Sequence, residues 1–490
     1  MQKQLVNFII NNRNKLTVIL LVNLIVNINI GLVNYPYIDD IARQRQGIAN
    51  FIAHYARYFS EYASWAFQGS RHLTDMGLTT HILSALIMTL TAIVVVYVFN
   101  EHGKISWQST VASIIIGINP WFLEALSFRF DSPYICLSVL VSVLPFIFLK
   151  HGKRIYFFSS SIFAILLMCN SYQASSGIYI VTLLAFVFVN LLRGEKLINE
   201  VLNSLIAALS YSIGIGLYFI EMKLNPQLLE RGDNTKIASL NNMLPTILEN
   251  LKVYRETVRN QLANIWLYLV IVTLLIFIIQ VILLKGVPFL KKILYLSLFL
   301  SLGFILSYGV YAFMSTTLAD DRPRYIYGFG YFLSLILILS GNVKTPKKLW
   351  TFQMTAVSLL VYYLLSFSFT YASTLKYQKE EFENQTIFLA DDLSDIGIDN
   401  INAVYINKFL KNSVVYDNTK VNYPILDELV PNNELLYWPN FMWFNSISHL
   451  DLNFQPKDTS NLDNEEYQLV LAKKTYDIYK KDNELFINMK

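Results

Sequence analysis

Up to about residue 371 this chain is a series of long apolar runs, almost free of charge, separated by short polar loops. A run of about 18 or more such residues suits a helix that crosses the roughly 30 Å hydrocarbon layer with its backbone polar groups bonded internally. Of 490 residues 54% are hydrophobic and 15% charged, against roughly 25% charged in soluble domains. Eleven spans are predicted, starting near Leu16, Leu78, Thr110, Pro133, Ile155, Ile178, Val201, Ala263, Ile293, Tyr325 and Trp350. The fifth and sixth are short and flank Asn170-Ser171-Tyr172-Gln173, so a re-entrant pair is an alternative there. Met1 to Lys15 is too polar and too lightly basic for a cleaved leader, and the first span is read as retained.

Orientation follows from the short loops. With a cytoplasmic N-terminus the inside segments hold 15 basic residues, Lys15, Lys150, Arg193, Lys292 and Lys344 among them, against the acidic Glu101, Glu195 and Glu200. That bias follows the positive-inside rule. An odd number of spans then leaves the tail outside, and one span more or fewer would reverse it. The tail, 372–490, has 11 basic and 19 acidic residues and is long enough for a small core. Tyr377 to Ile396 carries apolar residues at helical spacing, Ala403-Val404-Tyr405-Ile406 reads as a strand, and Tyr479 to Phe486 reads as a hairpin. The expected fold is an α-helical polytopic membrane domain, 1–371, whose first outer loop is 33–77, followed by a small extracytoplasmic α/β domain, 372–490.

Several functions lack their signatures. The chain has no Gly-rich phosphate loop or dinucleotide fingerprint, no HExxH-like pattern among six scattered histidines, and no internal repeat. Cys136 and Cys169 both fall in spans, so no disulfide framework or Cys-His metal spacing is present.

The polar clusters fall at the outer ends of the spans. Asp39 and Asp40 follow the first span and lead into Arg43 and Arg45. Alone, such a pair reads as a solvated turn or an N-cap. Partly desolvated, it would be a general base. Ile48, Phe51, Ile52, Tyr55, Phe59, Tyr62 and Trp65 then recur at helical spacing, as in a helix lying in the membrane interface or packed on the bundle. Arg129 sits between Phe128 and Phe130, and reads as a snorkelling side chain or a bidentate phosphate contact. Asp131-Ser132-Pro133 reads as a helix cap. Asn170 to Ser176 is dense in uncharged hydrogen-bonding groups, suited to sugar hydroxyls or to one another. Asp320-Asp321-Arg322-Pro323-Arg324 reads as an anion site at a helix start or a salt-bridged loop. Arg231, Arg255 and Arg259 on another outer loop form a weaker cluster, and Asn23 and Asn27 share a face of the first helix.

In their order, Asp39-Asp40-x-x-Arg43, Ser127-Phe128-Arg129-Phe130-Asp131-Ser132-Pro133, Asn170-Ser171-Tyr172-Gln173-Ala174-Ser175 and Arg322-Pro323-Arg324 resemble the type II glucosyltransferase family of serotype-converting O-antigen modification. The resemblance covers Asn34 to about Gly341. It implies a GT-C glycosyltransferase in the bacterial cytoplasmic (inner) membrane, its active site facing the periplasm or cell exterior. The donor would be a polyprenyl-phosphate sugar, glucose by the family, and the acceptor a surface polysaccharide such as O-antigen. A donor synthase and a flippase would supply that donor; no nucleic acid and no cofactor are implied, and a divalent-metal requirement stays open. By matching motif, Asp40 or Asp39 would be the base, with Asp40 preferred. Arg43, Arg129, Arg322 and Arg324 would hold the donor phosphate, and Asp131, Tyr172 and Gln173 would contact sugar or acceptor. Transfer would invert the anomeric carbon. The rival expectations are a transporter or flippase of lipid-linked sugars, which should show charged or broken helices at mid-membrane, and a surface-polymer polymerase.

Overall fold

The computed structural model describes residues 1–101, 103–225, 236–262, 264–343, 346–398, 401–459, 462 and 466–490, so Arg231, Lys344 and the span start at Ala263 lie outside the described residues. The chain divides into two compact units, Met1–Leu32 with Ile48–Thr370, and Val33–Gly47 with Tyr371–Lys490.

In the first unit, each predicted span corresponds to a helix. Among the described residues eight are long and apolar enough to cross a membrane: Gln2–Val33, Thr79–Phe99, Ser132–Lys150, Gln173–Leu192, Leu197–Lys223, Ile265–Leu283, Phe289–Ser307 and Lys347–Ile396. A ninth, Trp107–Ile118 with Pro120–Ser127, is bent by 50° at Asn119, and Arg154–Cys169 and Tyr327–Asn342 are shorter apolar helices. The break has a local cause. The Asn119 side chain caps the second half by accepting the Phe122 N–H at 3.1 Å, and Pro120 occupies its first position.

Contacts sort the helix ends into two groups. At one end, basic side chains meet turn and helix-terminal groups. Lys15 donates to the Ile105 carbonyl, and Lys150 to those of Tyr97, Val98 and Asn100. Arg193 pairs with Glu101 at 2.5 Å, Arg154 donates to Asn203, and Lys292 donates to the Leu284 carbonyl. A cation near a helix C-terminus is favoured by the exposed carbonyls and the dipole. At the other end lie the Asn170–Gln173 turn and, packed on each other, the helix Pro120–Ser127 and the turn Pro323–Tyr325. Arg154–Cys169 and Gln173–Leu192 both run between the two groups, from Arg154 to Asn170 and back to Arg193, and the Asn170–Gln173 turn joins them; only the second is among the eight.

The interior is packed through hydroxyls and glycines. Ser175 bridges Ser138 and the Tyr327 hydroxyl, each at 2.5 Å, and Thr182 meets the Tyr331 hydroxyl at 2.7 Å. Asn23 reaches across to Thr89, whereas Asn27 bonds back to the Asn23 carbonyl of its own helix. A Cβ at Gly177 or Gly328 would run into the Ser307 carbonyl, so three helices approach backbone to backbone. The expected single amphipathic helix after the Asp pair is instead two, Phe51–Tyr55 and Tyr58–Gln68, separated by Ala56 at φ 52°. Tyr62 and Phe67 remain exposed, as an interfacial helix requires.

The second unit is built on a five-stranded sheet of β1 (Ala403–Ile406), β2 (Phe454–Pro456), β3 (Gln468–Ala472), β4 (Tyr476–Lys481) and β5 (Glu484–Met489), in the order β2-β1-β5-β4-β3. β1 is parallel to both neighbours; β3-β4 and β4-β5 are antiparallel. The tail helix expected from Tyr377 is not separate: Lys347–Ile396 is one helix of 50 residues. Gln378 on that helix bonds Asn412, the Ser413 N–H and the Pro431 carbonyl, while Asn433 returns to the Gln378 carbonyl. Val33–Gly47, expected to begin the membrane domain's first loop, packs in this unit, its helix Asp39–Gln46 against Trp438–Ser448.

Candidate functional site

The acidic motif opens the helix Asp39–Gln46. Two aspartates in its first turn and Arg43 and Arg45 in its last match the helix dipole, and Gly47 in the left-handed region closes it by donating to the Arg43 carbonyl at 2.8 Å. Ile38, just before the pair, has φ 45°, an outlier for a β-branched residue. The two carboxylates differ. Asp40 is fully buried and accepts the Tyr37 N–H at 3.2 Å, while its own N–H returns to the Tyr37 carbonyl at 3.0 Å. The Asp39 side chain is 30% exposed and lies 3.9 Å from the Arg43 guanidinium, itself buried.

The remaining predicted residues belong to the first unit. Arg129 is buried. Its Nε meets Asp75 at 2.5 Å, and Nη1 donates to the Gly31 carbonyl at 3.4 Å. Asp75 is held by the Gly77 N–H. Asp131 is buried at the N-cap position of Ser132–Val143 with Pro133 in the first turn, as the cap reading places them, but its side chain makes no capping bond.

Arg324 faces a residue the sequence reading passed over. Glu124, fully buried on the bent half-helix Pro120–Ser127, takes Arg324 Nη1 at 2.5 Å and the Arg324 N–H at 2.9 Å. The guanidinium also lies 4.8 Å over the Phe128 ring, next to Arg129 in sequence. Arg322 and Arg324 precede the helix Tyr327–Asn342 on a 3₁₀ turn, Pro323–Tyr325, so neither arginine occupies its first turn as expected. Arg322 is half-buried; Asp320 and Asp321 are exposed.

Arg57 is a second unforeseen member. Its guanidinium lies between the rings of Tyr55 and Tyr172, at 4.5 and 4.6 Å, and donates to Gln173. The Gln173 amide also donates to the Tyr218 hydroxyl and the Tyr55 carbonyl, which makes it a support for Arg57. Tyr172 stacks on Tyr327 at 6.4 Å, and among the described residues its buried hydroxyl has no hydrogen-bond partner. Burial pushes its pKa well above the ordinary tyrosine value, with the charges of Arg324 and Arg57 opposing, so it stays a neutral donor. Asn170 locks the neighbourhood, taking the Tyr58 N–H and donating to Glu221. The first unit thus gathers Arg57, Tyr172, Arg324 and Glu124 around aromatic rings. Such a setting recognises anions and hydroxyls.

Comparison with known families decides the membership. A family profile described as glucosyl transferase GtrII matches residues 29–338. The chain belongs to that family. GtrII membership places it among the glycosyltransferases, and its apolar helices fit a membrane-embedded member. An uncharacterized 55.3 kDa protein in the gtrB 5′ region of Salmonella phage P22 is 29% identical over 165 residues, 30% of this chain. The chain spans about a third of that relative, 34% of its length. No solved structure matches.

Proposed function

We propose that this GtrII protein transfers glucose from a polyprenyl-phosphate carrier to a surface polysaccharide such as O-antigen, on the outer side of the bacterial cytoplasmic membrane. Family membership supports the chemistry. The observation that carries the donor class is the convergence of Arg57, Arg324 and the Tyr172 hydroxyl, unpartnered among the described residues, among aromatic rings at one end of the bundle. Guanidinium groups suit a phosphate leaving group, and a neutral phenol suits a sugar hydroxyl. Arg129, Arg322 and Arg43 are further donor-phosphate candidates, and Asp131 a sugar contact. Eleven crossings with a cytoplasmic N-terminus agree with the two groups of helix ends, the basic group being cytoplasmic. A donor synthase and a flippase would supply the lipid-linked sugar.

The acidic pair supplies the base. Exposure favours Asp39, since a group that takes a proton from an acceptor hydroxyl must touch it, and Asp40 is enclosed and bonded to Tyr37. Attack opposite the phosphate inverts the anomeric carbon. The bent span with buried Glu124 is a feature transporters share, but Arg324 neutralises that carboxylate, and the family match favours transfer.

The test compares surface polysaccharide, by mass and linkage, from cells carrying the wild-type gene, no gene, Asp39→Asn or Asp40→Asn. Wild type should add one hexose per repeat, and Asp39→Asn should lose transfer by about 10²–10⁴-fold. A polysaccharide unchanged by the wild-type gene overturns the reading; full activity in both Asn variants moves the base elsewhere.

A further inference from the structure

The GtrII match ends at residue 338, leaving Tyr371–Lys490 without an assigned role. We propose that this C-terminal segment holds the acidic motif in working geometry, with Tyr37 as the positioning residue that connects them. The inference rests on the assignment of the base to Asp39-Asp40.

A helix of eight residues is marginal by itself and takes its shape from what it packs against. Contacts from the C-terminal segment reach the Val33–Gly47 stretch along its length, four of them as follows. The Tyr37 hydroxyl donates to the Leu429 carbonyl at 2.6 Å. Lys379 donates to the Val33 carbonyl, the Tyr35 ring meets Trp443 edge to face at 5.3 Å, and Arg45 pairs with Asp451 at 3.4 Å. The bond through Tyr37 bears directly on the carboxylates. Its ring is completely buried, its hydroxyl is fixed to Leu429, and its backbone N–H and C=O are both committed to Asp40. Between them lies Ile38 at φ 45°, a conformation that persists only where the surroundings enforce it. The C-terminal segment therefore sets the turn from which Asp39 projects. The Tyr371 hydroxyl also reaches this carbonyl, but at 3.4 Å and without a link to the carboxylates of its own.

The experiment uses full-length protein in lipid nanodiscs, with polyprenyl-phosphate glucose as donor and the host's surface polysaccharide as acceptor. Tyr37→Phe removes one hydroxyl from the clamp, and Tyr371→Phe removes the longer bond to the same carbonyl. Tyr37→Phe should lower kcat by about 10- to 100-fold while the donor KM stays within about twofold, because misplacing a reacting group slows the chemical step. Tyr371→Phe should stay near wild type. Amide hydrogen exchange at Asp40 should accelerate in Tyr37→Phe alone. Unchanged kcat and unchanged exchange in Tyr37→Phe overturn the proposal, as does an equal loss in both variants with a common drop in melting temperature. An Asp39-Asp40 pair dispensable for transfer would defeat the base assignment instead, and the exchange measurement would still decide whether the clamp exists.

Discussion

Glu124 and Arg324 are held to each other by two bonds, with the Glu124 side chain fully buried. Removing one partner of such a pair strands the other, at about 3–5 kcal/mol in fully buried cases. Arg324 keeps 18% side-chain exposure and its contact with Phe128, so the lower end applies. Glu124→Ala should lower thermal stability in detergent, Arg324→Ala likewise, and the double variant should lose clearly less than the two losses together. Strict additivity would mean the two side chains are not coupled. Glu124 was hard to see in the sequence for a physical reason. It stands in Pro-Trp-Phe-Leu-Glu-Ala-Leu, which reads as apolar helix, and its partner is 200 positions away. Arg129 was legible because an arginine between two phenylalanines needs some explanation wherever it lies.

At the scale of elements, the apolar runs were readable because hydrocarbon leaves backbone groups no other partner than their own helix. Breaks and continuations were less so. The Asn119-Pro120 pair is a turn signal set inside a continuous hydrophobic run, and the run dominated the reading. The 50-residue helix Lys347–Ile396 contains no Gly or Pro, and the change of composition near Tyr371 suggested an end where the backbone has none. Ala56, with neither glycine nor proline beside it, gave no warning of its left-handed turn. Helix contacts also make a prediction. Gly328→Ala would press a methyl against the Ser307 carbonyl and should destabilise the bundle by about 1–3 kcal/mol. Gly216, with open space around it, should gain from the same change by about 0.5–1 kcal/mol. Comparing the two variants by thermal unfolding checks this, and equal behaviour would remove the close approach.

For the whole molecule, the proposed orientation predicts where its ends lie. Alkaline phosphatase fused after Lys490 should be active and a cytoplasmic reporter there inactive; the reverse would place the C-terminal sheet inside the cell. The membership of Val33–Gly47 in the C-terminal unit had no local signal, because its partners lie at the far end of the chain. Tyr37 and Leu429 are 392 residues apart. That distance has a consequence in time. At about 5–20 residues per second, the ribosome completes Leu429 roughly 20–80 s after Tyr37. Throughout that interval the nascent chain has its aspartates but not the carbonyl that seats them, so activity should appear only after Leu429 has been made, and a chain that stops short of Leu429 would be inserted yet idle.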